Sequence, residues 1–337
     1  MTRFGATILD AQGLRLTPDE IALFRAVRPF GFILFARNID TPDQVRALCD
    51  DLREAAGHDA LITIDQEGGR VQRLRPPHWR DWPAPLRFVQ AAGAGAGKAI
   101  YLRYRLIAAE LHALGIDSNC APMVDVARDH THEFLRDRCL GADPQTVAEL
   151  GFAAAQGMLD GGVLPVLKHI PGHGRAVADS HFDLPRVDAP LAALEEQDFA
   201  PFRALRHLPM AMTAHIAFTA IDGLVPATLS AKVMGLVREQ IGFENLIMTD
   251  DIAMKALQGD LATRSQAALA AGCDVVLHCN GTLAERAQTA EAAGAMADRA
   301  QARAQAALAQ RRSPDDIDIP AALAQLEMLQ QEAGAHG

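Results

Sequence analysis

The densest group of reactive side chains lies between residues 168 and 181, directly after an apolar run. It contains Lys168, His169, His173, Asp179 and His181. Lys168 and His169 end the run, and because burying an unpaired charge is costly, each is expected to have a partner or a ligand. Asp179 and His181 are two residues apart, which in an extended segment places them on the same side. A carboxylate beside an imidazole fixes the ring's tautomer and raises its basicity, so this pair is predicted to move protons.

A second group, Asp-Gln-Glu-Gly-Gly-Arg-Val-Gln-Arg, occupies residues 65–73 after another apolar run. The carboxylate of Asp65 can accept hydrogen bonds from two hydroxyl groups of a ligand. The two glycines let the backbone approach such a ligand closely. We expect Asp65 and Arg73 to bind the ligand, whereas a salt-bridged turn is the simpler interpretation of Glu67 and Arg70.

Acidic residues also follow two further runs. Asp250 and Asp251 come directly after residues 246–248. A carboxylate that leaves the end of a buried strand is placed where a nucleophile can reach an electrophilic carbon, so Asp250 is the candidate nucleophile. We interpret Asp251 as an acid at a helix N-terminus. Most of the charged residues from 125 to 137 are interpreted as a solvated loop.

The elements that must position these side chains are short apolar runs alternating with amphipathic stretches. The runs are rich in Ile, Leu and Val without alternation, which is typical of strands buried on both faces. They occupy residues 6–9, 31–35, 61–64, 116–121, 163–169, 210–216, 246–248 and 275–277.

Helix starts are marked between the runs, where Thr17 and Thr41 each precede a proline and an acid and Ser230 precedes a further apolar periodicity. Alternating strands and helices predict an α/β fold with a parallel sheet, and eight strands close a (β/α)8 TIM barrel whose site lies at the C-terminal strand ends. An open doubly wound sheet is the alternative, but no GxGxxG follows the first run.

One domain is predicted for residues 1–337, with a barrel at about 5–310 and a C-terminal helical tail at 311–337 that contributes outer helices. The Gly- and Ala-rich segment at 91–98 lacks the spacing of a phosphate-binding loop, so a small-residue loop or a helix start is predicted there.

Composition narrows the class of protein. The net charge of −10 disfavours nucleic acid and anionic membrane surfaces as partners. The N-terminus lacks the pattern of a signal peptide, and no apolar run approaches the ~18 residues needed to span a bilayer. The five cysteines are scattered without a CxxC pair, which predicts reduced thiols in the cytoplasm and no zinc framework.

Taken together, the motifs resemble glycoside hydrolase family 3, and within it the β-N-acetylhexosaminidases of the bacterial cytoplasm. The resemblance runs from Leu16 to about Asn280 and is specific because long motifs occur in the expected order. The matching motifs are DQEGGRVQR at 65–73, Asp137-Arg138, KHIPGHG at 168–174, Asp179-Ser180-His181 and Thr249-Asp250-Asp251.

The resemblance implies a monomeric one-domain barrel without a cofactor that removes terminal β-linked N-acetylglucosamine with retention of configuration. It implies that Asp250 is the nucleophile, that His181 donates and accepts the proton, and that Asp179 orients His181 on a loop at 170–183. The terminal sugar would be held by Asp65, Arg73, Arg138, Lys168 and His169. The implied substrate is a muropeptide fragment met in cell-wall recycling.

The sequence departs from the family pattern at Ile170, where an aromatic residue is usual, at Cys139-Leu140, where Ser-Phe is usual, and in the segment 174–178. Other activities stay open. A metal-dependent hydrolase could use His169, His173 and His181, although their spacing fits no zinc signature. Phosphate could replace water as the acceptor, the sugar could be glucose, or the barrel could bind sugars without catalysis.

Overall fold

The computed structural model describes residues 3–176 and 184–335. Asp179 and His181 therefore lie outside the described residues. The strands, numbered in chain order, are β1 (Gly5–Asp10), β2 (Pro29–Leu34), β3 (Leu61–Ile64), β4 (Gln66–Gly68), β5 (Val71–Gln72), β6 (Ser118–Asn119), β7 (Leu164–Ile170), β8 (Arg186–Val187), β9 (Met210–Thr213), β10 (Ala217–Phe218), β11 (Leu246–Met248) and β12 (Val276–Leu277).

Two parallel four-stranded sheets form the centre of the fold, with strand orders β12-β1-β2-β3 and β11-β9-β7-β6. Hydrogen bonds join their edges on both sides. The Cys120 amide next to β6 donates to the Ile64 carbonyl oxygen of β3 at 2.8 Å, and the Thr249 amide after β11 donates to the Val275 carbonyl oxygen before β12 at 3.0 Å. Two smaller sheets lie outside this frame, an antiparallel β4–β5 pair and a parallel β8–β10 pair.

The predicted α/β class is confirmed, because each of the eight apolar runs contains one strand of the two parallel sheets. The strands of both sheets are buried along their length, as β1, β3 and β7 illustrate. Burial on both faces explains why these runs carry no polar alternation.

Helices fill the connections. They are α1 (Pro18–Val27), α2 (Pro42–Ala56), α3 (Pro85–Ala92), α4 (Ala96–His112), α5 (Glu133–Arg136), α6 (Pro144–Asp160), α7 (Leu191–Ala193), α8 (Ala200–Ala204), α9 (Thr219–Asp222), α10 (Ala231–Leu236), α11 (Leu261–Ala271), α12 (Leu283–Ala293), α13 (Asp298–Leu308) and α14 (Ile319–Ala335).

The predicted helix starts are confirmed by their capping bonds. Thr17 and Glu20 form a reciprocal capping box, the Thr41 hydroxyl accepts from the Gln44 amide, and Ser230 caps α10. These side chains accept hydrogen bonds from amides that have no partner within the helix.

The remaining helical predictions also hold. In the segment at 91–98, α3 ends at Ala92 and α4 begins at Ala96. In the predicted tail at 311–337, α14 is helical and packs against α3 and α4. Within the described ranges, no helix combines the length and apolar character that a membrane span requires.

Candidate active site

A cavity of about 250 Å³ opens at the C-terminal ends of the parallel strands. It is near the small end of the range of ligand pockets, roughly 300–1,000 Å³, so it suits a ligand the size of one sugar ring. The structure brings six of the eight sequence-predicted residues to its wall. They are Asp65, Arg73, Arg138, Lys168, His169 and Asp250.

Asp65 and Lys168 form the centre of a network of ion pairs on one side of the cavity. Lys168 Nζ lies 2.9 Å from Asp65 Oδ1 and 2.6 Å from Glu67 Oε1. Arg73 Nη2 lies 3.1 Å from Asp65 Oδ2. Arg138 donates to both Glu67 oxygens, from Nε at 2.9 Å and from Nη2 at 2.8 Å. The buried lysine predicted to need a partner therefore has two.

This network keeps its carboxylates ionised. Burial alone would raise the pKa of Asp65, but Lys168 and Arg73 outweigh it and hold the pKa well below its ordinary value. In the same way Arg138 and Lys168 overcome burial at Glu67 and lower its pKa to about 2. The two carboxylates in turn raise the pKa of Lys168 despite its burial. Charged groups held in fixed positions can then hydrogen-bond a polar ligand without reorganising.

Glu67 belongs to this ion-pair network, which the sequence interpretation did not predict. It was assigned to a salt-bridged turn with Arg70, but its ion pairs are with Arg138 and Lys168. Arg70 instead donates to the Phe134 carbonyl oxygen and stacks over the Phe134 ring. The available signal was its position three residues after an apolar run, close to the predicted ligand-binding residue Asp65.

His169 and His173 share a buried carboxylate. His169 Nδ1 lies 2.7 Å from Asp125 Oδ2, and the His173 amide donates to Asp125 Oδ1 at 2.6 Å. The two rings meet edge to face with centroids 5.6 Å apart. Lys168 and His169 are consecutive residues of β7, so this strand contributes both to the ion-pair network and to the histidine pair.

The solvated-loop interpretation is wrong for Asp125, which is completely buried. Burial would raise its pKa, but His169 and the backbone amide of His173 keep it below its ordinary value. The loop interpretation failed because a high density of charged residues along the chain does not reveal which charged side chain faces the protein interior.

Asp250 follows β11 and lines the same cavity as the ion-pair network. Its Oδ1 accepts from the Asp251 amide at 2.8 Å, and its own amide donates to Thr213 Oγ1 at 3.3 Å. Burial would raise the pKa of Asp250, but His215, His169 and the Asp251 amide hold it below its ordinary value. The carboxylate is thus ionised, which nucleophilic attack requires.

Asp251 does not start a helix, because α11 begins at Leu261 and is capped by Asp260. Its Oδ1 instead accepts from the amides of Ala253 and Cys279, each at 3.0 Å. Burial and the neighbouring Asp250 raise the pKa of Asp251 to about 6. The residue ties the segment after β11 to the segment after β12.

Ile170, Cys139 and Leu140, the departures from the family pattern, are buried in the core. None of the three lines the cavity. The changes therefore concern the support of the site more than its ligand-binding surface.

The chain matches the family model described as the glycosyl hydrolase family 3 N-terminal domain over residues 26–311. A β-hexosaminidase from Alkalilimnicola ehrlichii is 40% identical over 284 residues, which cover 82% of this chain and 81% of that protein. A family 3 β-N-acetylglucosaminidase from Paenibacillus sp. str. FPU-7 is 30% identical with a TM-score of 0.79, and the match covers 99% of this chain and 62% of that one.

NagZ from Neisseria gonorrhoeae, solved in complex with N-trifluoroacetyl-D-glucosamine, is 28% identical with a TM-score of 0.78. The match covers 97% of this chain and 98% of that one. The family model alone matches more than half of the chain, and the resemblance inferred from the motifs is confirmed. The chain belongs to glycosyl hydrolase family 3.

Proposed function

We propose that this enzyme is a retaining exo-β-N-acetylglucosaminidase that uses Asp250 as its nucleophile. The observation that carries the proposal is an ionised carboxylate, Asp250, in a cavity about the size of one sugar, beside the fixed charges of Asp65 and Lys168. The relatives named β-hexosaminidase and β-N-acetylglucosaminidase support the choice of sugar.

The terminal sugar would be held by its hydroxyl groups. Asp65 can accept from hydroxyls, while Lys168 and Arg73 can donate to the same oxygens, because all three side chains reach the cavity. Arg138 and His169 complete the wall. Charge-assisted hydrogen bonds of this kind contribute about 1.5–3 kcal/mol each, and several acting together fix the anomeric carbon in front of Asp250.

The reaction would proceed in two displacements. An Asp250 oxygen attacks the anomeric carbon while the bond to the leaving oxygen breaks and His181 supplies that oxygen with a proton. The resulting ester between Asp250 and the sugar is then cleaved by water, whose proton passes to His181. Two inversions at one carbon give net retention. Asp179 would orient His181 during both steps.

We extend this proposal to the natural substrate, the cellular setting and the oligomeric state. The leaving group would be a muropeptide fragment, the setting cell-wall recycling in the cytoplasm, and the working form a monomer. An acidic chain whose cavity pairs its basic side chains with carboxylates suits a small polar saccharide better than a polyanion.

We also infer that the two parallel sheets make up one (β/α)8 barrel over residues 5–310, with residues 311–337 as a helical tail of a single domain. Support comes from the hydrogen bonds that link β3 to β6 and β11 to the segment before β12 at the two sheet edges. The cavity at the C-terminal strand ends has the location that barrel enzymes use.

The test is hydrolysis of a chromogenic β-N-acetylglucosaminide and the matching β-glucoside by the wild type, Asp250→Ala and the exposed-site control Asp40→Ala. We expect turnover of the N-acetylglucosaminide alone, a loss of roughly 10³-fold or more in Asp250→Ala, and wild-type rates in Asp40→Ala. Turnover of the glucoside instead would overturn the sugar assignment.

Three additional arms address the alternatives. A rate that requires inorganic phosphate and yields a sugar phosphate would identify a phosphorylase. Inhibition by chelators and recovery on adding metal would identify a metal-dependent hydrolase. Binding of N-acetylglucosamine without turnover of any glycoside would identify a sugar-binding protein.

A further inference from the structure

Three polar side chains are completely buried beneath the Asp250 backbone. They are Thr213 at the end of β9, His215 two residues later, and Thr228 in the turn Ala227–Leu229. Burying hydroxyl and imidazole groups is costly unless each finds a hydrogen-bond partner. Their contacts therefore show what compensates for that burial.

One side of the group leads to the amide of Asp250. That amide donates to Thr213 Oγ1 at 3.3 Å. Thr213 Oγ1 lies 2.8 Å from Thr228 Oγ1, which lies 2.7 Å from His215 Nδ1. A continuous row of hydrogen bonds thus connects the nucleophile's backbone to the imidazole.

The other side of the imidazole leads back to the nucleophile's carboxylate. His215 Nε2 lies 2.9 Å from the Asp251 carbonyl oxygen. The Asp251 amide donates to Asp250 Oδ1 at 2.8 Å. The hydrogen bonds therefore form a closed ring. It includes the backbone amide and the carboxylate of Asp250 and the backbone amide and carbonyl group of Asp251.

The proton positions in this ring follow from its two backbone ends. A carbonyl oxygen only accepts, so His215 Nε2 carries the hydrogen. Burial lowers the pKa of His215 and favours the neutral ring, so Nδ1 accepts from the Thr228 hydroxyl. The other acceptor near that hydroxyl, the Ala214 carbonyl oxygen, is farther away at 3.1 Å. Thr213 then donates to Thr228 and accepts from Asp250.

We propose that His215 is a positioning residue for the nucleophile, which it holds through the Asp251 carbonyl group and through the Thr228–Thr213 pair. The inference rests on the proposed role of Asp250 in glycoside hydrolysis. Asp250 lies in irregular backbone between β11 and α11, where no helix or sheet bonds fix its peptide planes. The ring replaces those missing bonds and sets the direction of the carboxylate.

The two hydrogen-bond partners of His215 explain why an imidazole suits this position. The side chain here must donate to a carbonyl group on one side and accept from a hydroxyl group on the other. A neutral imidazole does both. Displacing a reacting group by ~1 Å can cost about 10²-fold in rate, so loss of either bond should be visible in catalysis.

The test compares His215→Gln with His215→Asn by steady-state kinetics at a temperature well below unfolding. The longer glutamine amide can replace the Nε2 hydrogen bond to Asp251, whereas the shorter asparagine amide replaces only the contact to Thr228. We expect His215→Asn to lower kcat roughly 10- to 100-fold with KM nearly unchanged, and His215→Gln to retain most of kcat. Their melting temperatures should fall by similar amounts, because each variant loses one buried hydrogen bond.

Hydrogen exchange of residues 249–254, followed by mass spectrometry, gives a readout that does not depend on activity. Exchange should be faster in His215→Asn than in His215→Gln or the wild type. Thr228→Val, which keeps the volume and removes one hydroxyl, should show a smaller change in the same direction and serves if His215→Asn does not fold.

Equal kcat in the two histidine variants, or wild-type exchange in both His215→Asn and Thr228→Val, would overturn the positioning role. A wild type that hydrolyses no glycoside would defeat the proposed function instead. The exchange data would then still decide whether His215 holds the backbone of Asp250.

Discussion

At the scale of single residues, the site depends on charges that are buried in pairs. Lys168 is almost completely buried, yet it lies within ion-pair distance of both Asp65 and Glu67. Arg73 pairs with Asp65 as well but remains partly exposed. We therefore expect Lys168 to contribute to both folding and binding, whereas Arg73 can be changed to examine binding alone.

Arg73→Ala should raise KM or lower kcat/KM by roughly 10- to 150-fold, because it removes a charged donor worth about 1.5–3 kcal/mol. The free energy of unfolding should change little, since the side chain is partly exposed and Asp65 retains Lys168. Steady-state kinetics and urea denaturation check the two expectations, with the exposed Arg80→Ala as control. Wild-type kinetics in Arg73→Ala would show that this arginine does not contact substrate.

His173 supplies a pH dependence of stability. Burial, together with the nearby His169, lowers its pKa from 6.5 to about 4. Between these two pH values the unfolded chain binds more protons at this residue than the folded protein, so the free energy of unfolding falls as the pH drops through this window. The contribution of His173 is complete above pH 6.5.

His173→Phe should therefore flatten the decline of melting temperature between pH 6.5 and 4, because phenylalanine keeps the ring and cannot be protonated. The measurement is calorimetry at several pH values, beside His130→Gln at an exposed position. A decline as steep in His173→Phe as in the wild type would mean that other groups govern acid sensitivity.

At the scale of elements, the sequence predicts the framework better than the loops. Short Ile-, Leu- and Val-rich runs correctly predicted every strand of the two parallel sheets, because strands buried on both faces have continuous apolar sequences. The helix caps were equally visible. Asp125 and Glu67 were misjudged because their roles depend on partners more than 40 residues away, His169 and Arg138, which no local pattern encodes.

Thr41→Ala should lower the free energy of unfolding by about 1 kcal/mol, because the Gln44 amide at the start of α2 loses its side-chain acceptor. Thr41→Ser keeps the hydroxyl and should remain close to the wild type. Urea denaturation of the three proteins is the measurement. Equal stabilities for Thr41→Ala and Thr41→Ser would show that the cap contributes little.

At the scale of the whole molecule, ion pairs hold the segment between α13 and α14 against the N-terminal ends of β3 and β6, opposite the cavity. Arg311, between α13 and α14, lies 2.6 Å from Asp117 Oδ2 and 2.9 Å from Asp59 Oδ2. Asp117 also accepts from the Ile62 amide of β3 at 2.8 Å. Burial raises the pKa of Asp117, although Arg311 and Arg53 oppose the rise. We therefore expect these ion pairs to stabilise the fold at a distance from the cavity, which they do not line.

Arg311→Gln should lower the free energy of unfolding by about 1–3 kcal/mol, because it leaves the partly buried Asp117 carboxylate with one cation fewer while Arg53 remains. The KM for the chromogenic substrate should not change, because Arg311 does not line the cavity. Arg299→Gln, an exposed change on α13, is the matched control. An altered KM in Arg311→Gln with normal stability would contradict this separation.

Asp250 is proposed to form a covalent bond to the sugar. The most direct measurement is mass spectrometry of the protein after treatment with a 5-fluoro β-N-acetylglucosaminyl fluoride, whose fluoride leaves without a proton and whose ring fluorine slows release of the adduct. We expect one sugar to be added in the wild type, located after proteolysis to Asp250, and none in Asp250→Asn. An adduct on another residue, or an active enzyme that never forms one, would contradict the role of Asp250 as nucleophile.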